Sequence, residues 1–451
     1  MKLRFLGAAG TVTGSRYLLT HDRHSVLVDC GLFQGVKNIR SRNWKPFPVD
    51  ARDVSAVVLT HAHLDHSGYL PRFMKEGFRG AVWATPATRE LAAILLEDSA
   101  HLQEEDARHA NRHGYSKHHP AEPLYTADDA QRVMKQFRST GFGEPVQVGP
   151  FTIRFSRAGH ILGAACVRVE CAGRSITFSG DVGRPQDLVM LPPEPLRASD
   201  WLVLESTYGD RLHPSEDAAE QLAAIVNRTV ARGGTVLLPS FAVGRAQVLM
   251  HLLASLMDAR RIPDLPVFLD SPMAIDVTGV FRHFNADHKL DAHALQRLDE
   301  RVTCTRKPEQ SEQLSSSRYP KVILAGAGML NGGRILHHLL AFGADARSTL
   351  VITGYQAEGT RGDALLKGAR SLRMFGREVP IDCEVTQLDG LSAHADYAEM
   401  LAWLKPIGQA PRQVFVTHGE PVAADMLRQH LARELGWSAC VPEQGDEFEL
   451  D

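Results

Sequence analysis

The stretch THAHLDHSG (60–68) follows the apolar run VSAVVL (54–59) and constrains the fold more than any other segment. Three histidines and an aspartate crowd together as His61, His63, Asp65 and His66. The apolar run predicts a strand. His61 and His63 alternate, so in an extended segment they point the same way. Asp65 and His66 follow where the chain turns into a helix expected over 67–76. Neutral imidazole nitrogen and carboxylate oxygen are the donors that zinc takes in hydrolytic sites. Four such donors this close cannot surround one ion with good geometry. The spacing instead fits two ions, His61 and His63 on one, Asp65 and His66 on the other. A solvated polar turn is the plainer alternative, and it leaves the crowding unexplained.

Such a centre needs further donors, and the natural place for them is the C-terminal end of other β runs, where loops gather. Four candidates stand there: Asp29 after SVLV, His160 after FTIRFSRAG, Asp181 after SITFSG and His418 after VFVT. Each alone reads as an ordinary loop residue.

The chain has two styles of patterning. KLRFLG, RYLLT, SVLVDCG and VSAVVLTH come in quick succession near the start, split by turns. From about residue 202, β runs alternate with helical stretches, among them 216–232 and 243–258, as expected for βαβ units and a parallel sheet. After about residue 370 the short β style returns, with a helix at 395–404. One domain interrupted by another explains this order, and 451 residues accommodate two to three domains.

Composition excludes some classes. Apolar residues make up 44% and charged residues 23%, enough for a sizeable core. A net charge of −3 gives no general nucleic-acid signature, so any RNA or DNA contact has to be a local patch. The N-terminal MKLRFLGAAGTVTGSRYLL reads as strand, loop, strand rather than a secretory signal. No apolar run reaches the roughly 18 residues of a membrane helix, so no membrane partner is expected. Cysteines 30, 166, 171, 304, 383 and 440 are scattered without a CxxC and read as reduced core thiols, which fits a cytoplasmic location. Cys166 and Cys171 belong in a strand. His101, His109, His113, His118 and His119 sit among charges in 97–140, which reads as a solvated, partly helical excursion rather than a third metal site.

HAHLDHSG resembles the HxHxDH signature of the metallo-β-lactamase fold, and Asp29, His160, Asp181 and His418 fall in order on that family's other motif positions. The resemblance implies that His61, His63 and His160 hold one metal and Asp65, His66 and His418 the other. By the same likeness Asp181 bridges them and Asp29 orients ligands. Glu205 in LESTYGD, His394 in GLSAHAD and His418 in THGE resemble motifs A, B and C of the β-CASP nucleases, relatives of the RNA 3′-end processing endonuclease. FAVGRAQ (241–247), LDSPMA (269–274) and GYQAEGTRG (354–362) also look like this family. The expected fold is α/β: an αββα sandwich built from 1–205 and 371–451, with an inserted β-CASP cap of parallel βαβ type over 206–370.

The function so implied is a ribonuclease using two Zn2+, with Mn2+ as the alternative metal, acting on single-stranded RNA in a locally basic cleft. Internal cutting is the first expectation and 5′-exonucleolytic removal the second, leaving 3′-hydroxyl and 5′-phosphate ends. His394 is the expected proton donor to the leaving oxygen, Glu205 its orienting partner, and Asp65 a ligand that can also take a proton. His418 stands where DNA-cutting relatives have Val, which favours RNA over a DNA nuclease. A small ester or thioester hydrolase is the other rival, against which the large insert argues. Candidates for RNA phosphate are Arg245, Gly328, Asn331, Gly332, Arg361 and Ser392, from glycine-rich or basic turns at helix starts. The family usually has Ser where this chain has Gly326 or Ala327, a departure that would cost a phosphate contact. Oligomeric state is open, a homodimer among the options.

Overall fold

The computed structural model describes residues 1–114, 116–354, 356 and 359–451. It forms two compact units, Met1–Leu212 with His394–Asp451, and His213–Ala393.

In the first unit the alternating β runs become strands with one buried face. Phe151–Arg157 buries Phe151, Ile153 and Phe155 and turns the residues between them outward, the period of two that a pleated strand imposes. Among the described residues, fourteen strands make two seven-stranded sheets. Leu3, Phe5, Leu19 and Val26 from one sheet meet Ile153, Val167, Val203 and Phe415 from the other in a shared core. Helices Tyr397–Leu404 and Pro421–His430 cover the far face of the second sheet through Met400, Leu401, Leu404, Ala424 and Leu427. This is the expected αββα sandwich.

Strand direction matters more for the site. His24–Val28, Ala56–Val58 and Ala81–Ala84 are parallel neighbours in the first sheet. Arg174–Phe178, Trp201–Glu205 and Gln413–Thr417 are parallel neighbours in the second. Parallel strands put their C-terminal ends on one edge, where the connecting loops build sites.

The second unit is a parallel six-stranded sheet, in the order Val302–Cys304, Val267–Asp270, Lys321–Ala325, Thr235–Pro239, Thr349–Ile352, Glu384–Gln387. Its four inner strands are nearly continuous apolar runs, as expected for a sheet covered on both faces, while the edge strands Val302–Cys304 and Glu384–Gln387 are more polar and exposed. Helices Ala218–Ala231 and Arg245–Asp258 lie close to the expected spans.

Four expectations need correction. The second unit runs from 213 to 393 rather than 206 to 370, because Glu384–Gln387 adds to Thr349–Ile352 and the hairpin Ser371–Met374/Arg377–Pro380 joins the core of Leu336, Phe342 and Ile352. The helix expected over 67–76 is two pieces, Leu64–Ser67 and Leu70–Lys75. The polar segment from 97 is the second half of a helix, Pro86–His113, begun by the Thr85 cap and Pro86, and its inner face buries Leu95, Leu96, Ala100, Ala107 and Ala110. Helical spacing hides one apolar face under a mostly charged sequence. All six cysteines are free, yet Cys304 is exposed and Cys440 half-buried, so the thiols are not all in the core. Cys166 and Cys171 are buried in the strand Ala165–Cys171.

Candidate metal centre

Most of the donors singled out in the sequence of the first unit lie just past a strand end. Asp29 follows His24–Val28, and His61 and His63 follow Ala56–Val58. His160 follows Phe151–Arg157, Asp181 follows Arg174–Phe178 and His418 follows Gln413–Thr417. Asp65 and His66 sit on the short helix Leu64–Ser67. Asp29 and His418 both take left-handed backbone, φ 59° and 49°, which non-glycine residues adopt only when their surroundings enforce it. The backbone of 30–32 runs against the ligand helix, with Cys30 N donating to His66 O at 2.7 Å and Leu32 N to Leu64 O at 2.8 Å. Glycine is required there, since a Cβ on Gly31 would lie 1.6 Å from Asp65 O.

The side chains converge in two groups. In the first, His63 Nδ1 lies 3.1 Å from His61 Nε2 and 3.2 Å from His160 Nε2, with Asp181 Oδ2 3.5 Å and 3.6 Å from those two Nε2 atoms. In the second, His66 Nε2 lies 3.1 Å from His418 Nε2, and Asp65 Oδ2 is 3.4 Å from that same His418 atom. The other Asp181 oxygen, Oδ1, is 3.3 Å from His66 Nε2 and 3.4 Å from His418 Nδ1. Each carboxylate oxygen of Asp181 therefore faces one group.

The donor set fits metal ions. Nitrogen pairs at 3.1–3.2 Å are close to the edge of about 3.3 Å of a tetrahedron with bonds near 2.0 Å. Several imidazoles pointing nitrogens at one another cannot all be served by protons. Asp181 Oδ1 is a buried acceptor without a hydrogen-bond donor among the described residues, the condition that a cation relieves.

Electrostatics agree. Burial pushes His61 well below its ordinary pKa and lowers His63 too, so both rings are neutral and have lone pairs to give. Burial would push Asp181 up, but His418, His66 and His61 outweigh it and hold Asp181 well below the usual carboxylate range. Burial likewise opposes the Asp65 charge, but the His418 hydrogen bond and the His66 charge hold it at about 2. His66 rises well above its ordinary value, against burial, because Asp181 and Asp29 flank it. A pocket that attracts a proton this strongly attracts a metal cation for the same reason.

Asp29 is fully buried. Its Oδ1 accepts from Thr60 N at 2.8 Å, while Oδ2 accepts from Thr60 Oγ1 at 2.9 Å and faces His66 Nδ1 at 2.8 Å. The carboxylate keeps the proton of His66 on Nδ1 and leaves Nε2 as the inward donor.

Glu205 and His394 meet across 189 positions of sequence, Nδ1 to Oε1 at 3.1 Å. The buried Glu205 also accepts from Val182 N at 2.7 Å and Thr207 N at 3.2 Å, which fixes its orientation. His394 keeps 20% of its side chain exposed and sits with its ring centroid 4.4 Å from that of His160. Burial works against its charge, but Glu205, with help from Asp181 and Asp65, raises its pKa to about 9.

The phosphate candidates Arg245, Gly328, Asn331, Gly332, Arg361 and Ser392 belong to the second unit. Arg245 opens the helix Arg245–Asp258. Arg361 gives its Nη1 to Leu330 O and Asn331 O, at 3.2 and 3.3 Å, and its Nε to Arg373 O, so it clasps the glycine-rich loop rather than standing clear of it. Gly328 packs on the Phe241 ring, where a Cβ would come within 2.9 Å. Asn331 is exposed, and Gly332 and Ser392 are half-buried. Within GYQAEGTRG, Tyr355, Ala357 and Glu358 lie outside the described residues.

Sequence reasoning missed three hydroxyls that brace the cluster. Thr60 Oγ1 touches Asp29 and the Nδ1 atoms of His61 and His66, Ser15 Oγ lies 3.3 Å from His66 Nε2, and Thr207 Oγ1 lies 3.2 Å from His418 Nδ1. Thr60 and Thr207 stand inside the quoted motifs, which was the available signal; Ser15 carried none.

Comparison with known proteins identifies the family. Residues 9–217 match the metallo-beta-lactamase superfamily, 246–365 the Beta-Casp domain, and 378–442 the Zn-dependent metallo-hydrolase RNA specificity domain. The sequence reading had no separate segment for the last. The chain is 37% identical to Ribonuclease TTHA0252 of Thermus thermophilus, over 93% of both chains. It is 30% identical to Transcription termination factor FttA of Pyrococcus abyssi, over 100% of this chain and 71% of that protein. A solved structure of a protein of unknown function from Enterococcus faecalis V583 shares the fold, with TM-score 0.55 and 13% identity over 100% of this chain and 99% of that one.

Proposed function

We propose, for a chain that belongs to the β-CASP family of metallo-β-lactamase-fold proteins and is a metal-dependent hydrolase, that it cuts phosphodiester bonds of single-stranded RNA with two zinc ions. His61, His63 and His160 would hold one ion, Asp65, His66 and His418 the other, with Asp181 shared. When bound, such ions lower the pKa of water and stabilise charge on phosphoryl oxygens.

The remaining work falls to the chain itself. Asp29 sets the tautomer of His66. Asp65, held at about 2, is a weak base and serves better as a holder than as a proton acceptor. Glu205 anchors His394 through Nδ1 and keeps the ring protonated near neutral pH, so that Nε2 can give a proton to the departing 3′-oxygen. Protonating that oxygen leaves a 3′-hydroxyl on one fragment and a 5′-phosphate on the other. The first unit is then the catalytic domain, and the second carries further candidates for phosphate.

The observation that carries this reading is the His394–Glu205 pair at 3.1 Å, set beside the histidine–aspartate cluster. A hydrolase of activated small esters has little need of a dedicated proton donor, whereas an alkoxide leaving group does. The test is a gel. The zinc-loaded protein and its His63→Ala variant are incubated with a 5′-labelled single-stranded RNA and with DNA of the same sequence. Cut RNA, spared DNA and an inert variant support the reading, and product lengths separate internal cutting from stepwise 5′ removal. Two bound metals with neither polymer cut would sink it.

A further inference from the structure

We propose that residues 36–45 form a preorganised docking lobe for single-stranded RNA on the first unit, with Lys37 and Lys45 meeting phosphates and Trp44 stacking on a base. The inference rests on the ribonuclease reading above and adds a binding surface that the metal cluster does not provide.

The sequence of the lobe is VKNIRSRNWK. Between Asp29 and Asp50 the chain carries Lys37, Arg40, Arg42 and Lys45 and no acidic residue, in a protein whose net charge is −3. The segment folds as two short helical turns, Lys37–Arg40 and Ser41–Trp44, with Lys37, Arg40 and Lys45 exposed. Trp44 is 57% exposed and Val36 44%. An exposed indole flanked by cations offers a ring and positive charge together, and single-stranded nucleic acid supplies bases and phosphates for both.

The lobe is held in place. Asn43 is buried and closes its base, accepting from Phe33 N at 2.9 Å and donating to Phe33 O at 2.7 Å. Arg16 braces that base from beneath, donating to Gly31 O at 2.9 Å while its guanidinium lies 4.0 Å from the Tyr69 ring centroid and 4.8 Å from that of Phe33. Arg42 is committed to Gln444 and the Phe33 ring. Lys37, Arg40, Lys45 and Trp44 are exposed and open to a ligand. The chain leading into the lobe, Cys30 to Leu32, is hydrogen-bonded to the helix that carries Asp65 and His66, so the lobe and two of the metal-ligand candidates share one support. A rigid lobe loses little entropy on binding.

The test measures affinity for a phosphorothioate single-stranded RNA, which keeps its charges and resists hydrolysis, at several salt concentrations. Metal-loaded full-length protein is compared with Lys37→Ala/Lys45→Ala and with Trp44→Ala. Metal content and melting temperature of the variants should match the parent, since all three side chains are exposed. The double variant should lower the slope of log affinity against log salt by roughly 0.7 per lost phosphate contact. Trp44→Ala should weaken binding by about 5- to 150-fold with the slope unchanged. Unchanged slope in the first, or unchanged affinity in the second, overturns the proposal. Cleavage of ordinary RNA by the parent is assayed beside it. If the parent cuts RNA and the variants bind like it, the lobe alone is refuted; if the parent neither cuts nor binds RNA, the ribonuclease reading falls and takes the lobe with it.

Discussion

Changing Asp29 to asparagine replaces one oxygen with nitrogen and should disable one metal position. Asp29 accepts three hydrogen bonds, from Thr60 N, Thr60 Oγ1 and His66 Nδ1, at 2.8 to 2.9 Å. Asparagine can accept through one atom only. With its oxygen toward Thr60 N, its NH2 faces His66 Nδ1; the ring must then move its proton to Nε2, the atom that points at His418 and Asp181. A protonated Nε2 cannot ligate. With the amide flipped, NH2 meets the Thr60 N–H head on, and a buried donor goes unsatisfied at a cost of about 1–3 kcal/mol. That cost disfavours the flipped amide, and the unflipped one predicts a loss of metal affinity of roughly 10- to 100-fold, the usual effect of removing a carboxylate behind a ligating histidine. The assay is metal content after dialysis against graded chelator. One ion per chain, that of His66, should leave first while the other stays. If both ions are held as in the parent, Asp29 does not set the tautomer of His66 and the argument fails.

Other perturbations probe separate parts. His394→Ala should keep two metals per chain and lose about 10²- to 10⁴-fold in turnover; falling metal content would make His394 a ligand instead. Glu205→Gln removes the charge that raises His394 to about 9, so the pH at which the rate falls on the alkaline side should move lower; a pH profile of kcat that stays put would refute the proton-donor role. Asp181→Ala should release both ions together, since each Asp181 oxygen faces one group, and elemental analysis showing loss of one ion would end the bridging assignment. In the second unit, the fully buried Asp270 takes hydrogen bonds from Arg334, Thr305 and Ser311 and pairs with His338. Burial opposes its charge, yet the His338, Ser311, Thr305 and Arg334 hydrogen bonds hold its pKa well below the ordinary value. Its stabilisation is therefore complete above an unfolded-state pKa near ~3.9 and drains away as pH falls below that. Asp270→Asn should cost about 3–5 kcal/mol in denaturant unfolding at pH 7 and flatten the acid limb; equal loss at pH 7 and pH 2 would contradict the linkage.

Local features were legible because local chemistry made them. The crowding of His61, His63, Asp65 and His66 announces a centre whatever the rest of the chain does. Apolar β runs alternating with helices announce a parallel sheet, and the second unit has one. Caps mark helix starts, as Asp396 and Glu399 do for Tyr397–Leu404. The stretch from 97 reads as a solvated, partly helical excursion rather than the second half of the helix Pro86–His113, because that half is polar outside and its buried face is mostly alanine. The end of the second unit was misplaced because Ser371–Met374 and Glu384–Gln387 look like any short strands, and their partners decide their allegiance.

What the sequence determines by itself is the kind of donor at each strand end, and through family likeness the role each would take. What tertiary structure decides is who meets whom. His66 meets His418 across 352 positions and His394 meets Glu205 across 189, and no spacing rule reaches that far. The meeting happens because parallel strands in two facing sheets bring their C-terminal ends to one edge. Once Asp29, Asp181, Glu205 and His418 are gathered there and buried, each loses water as a partner, and the only charges left to answer theirs are one another and the cations they would hold.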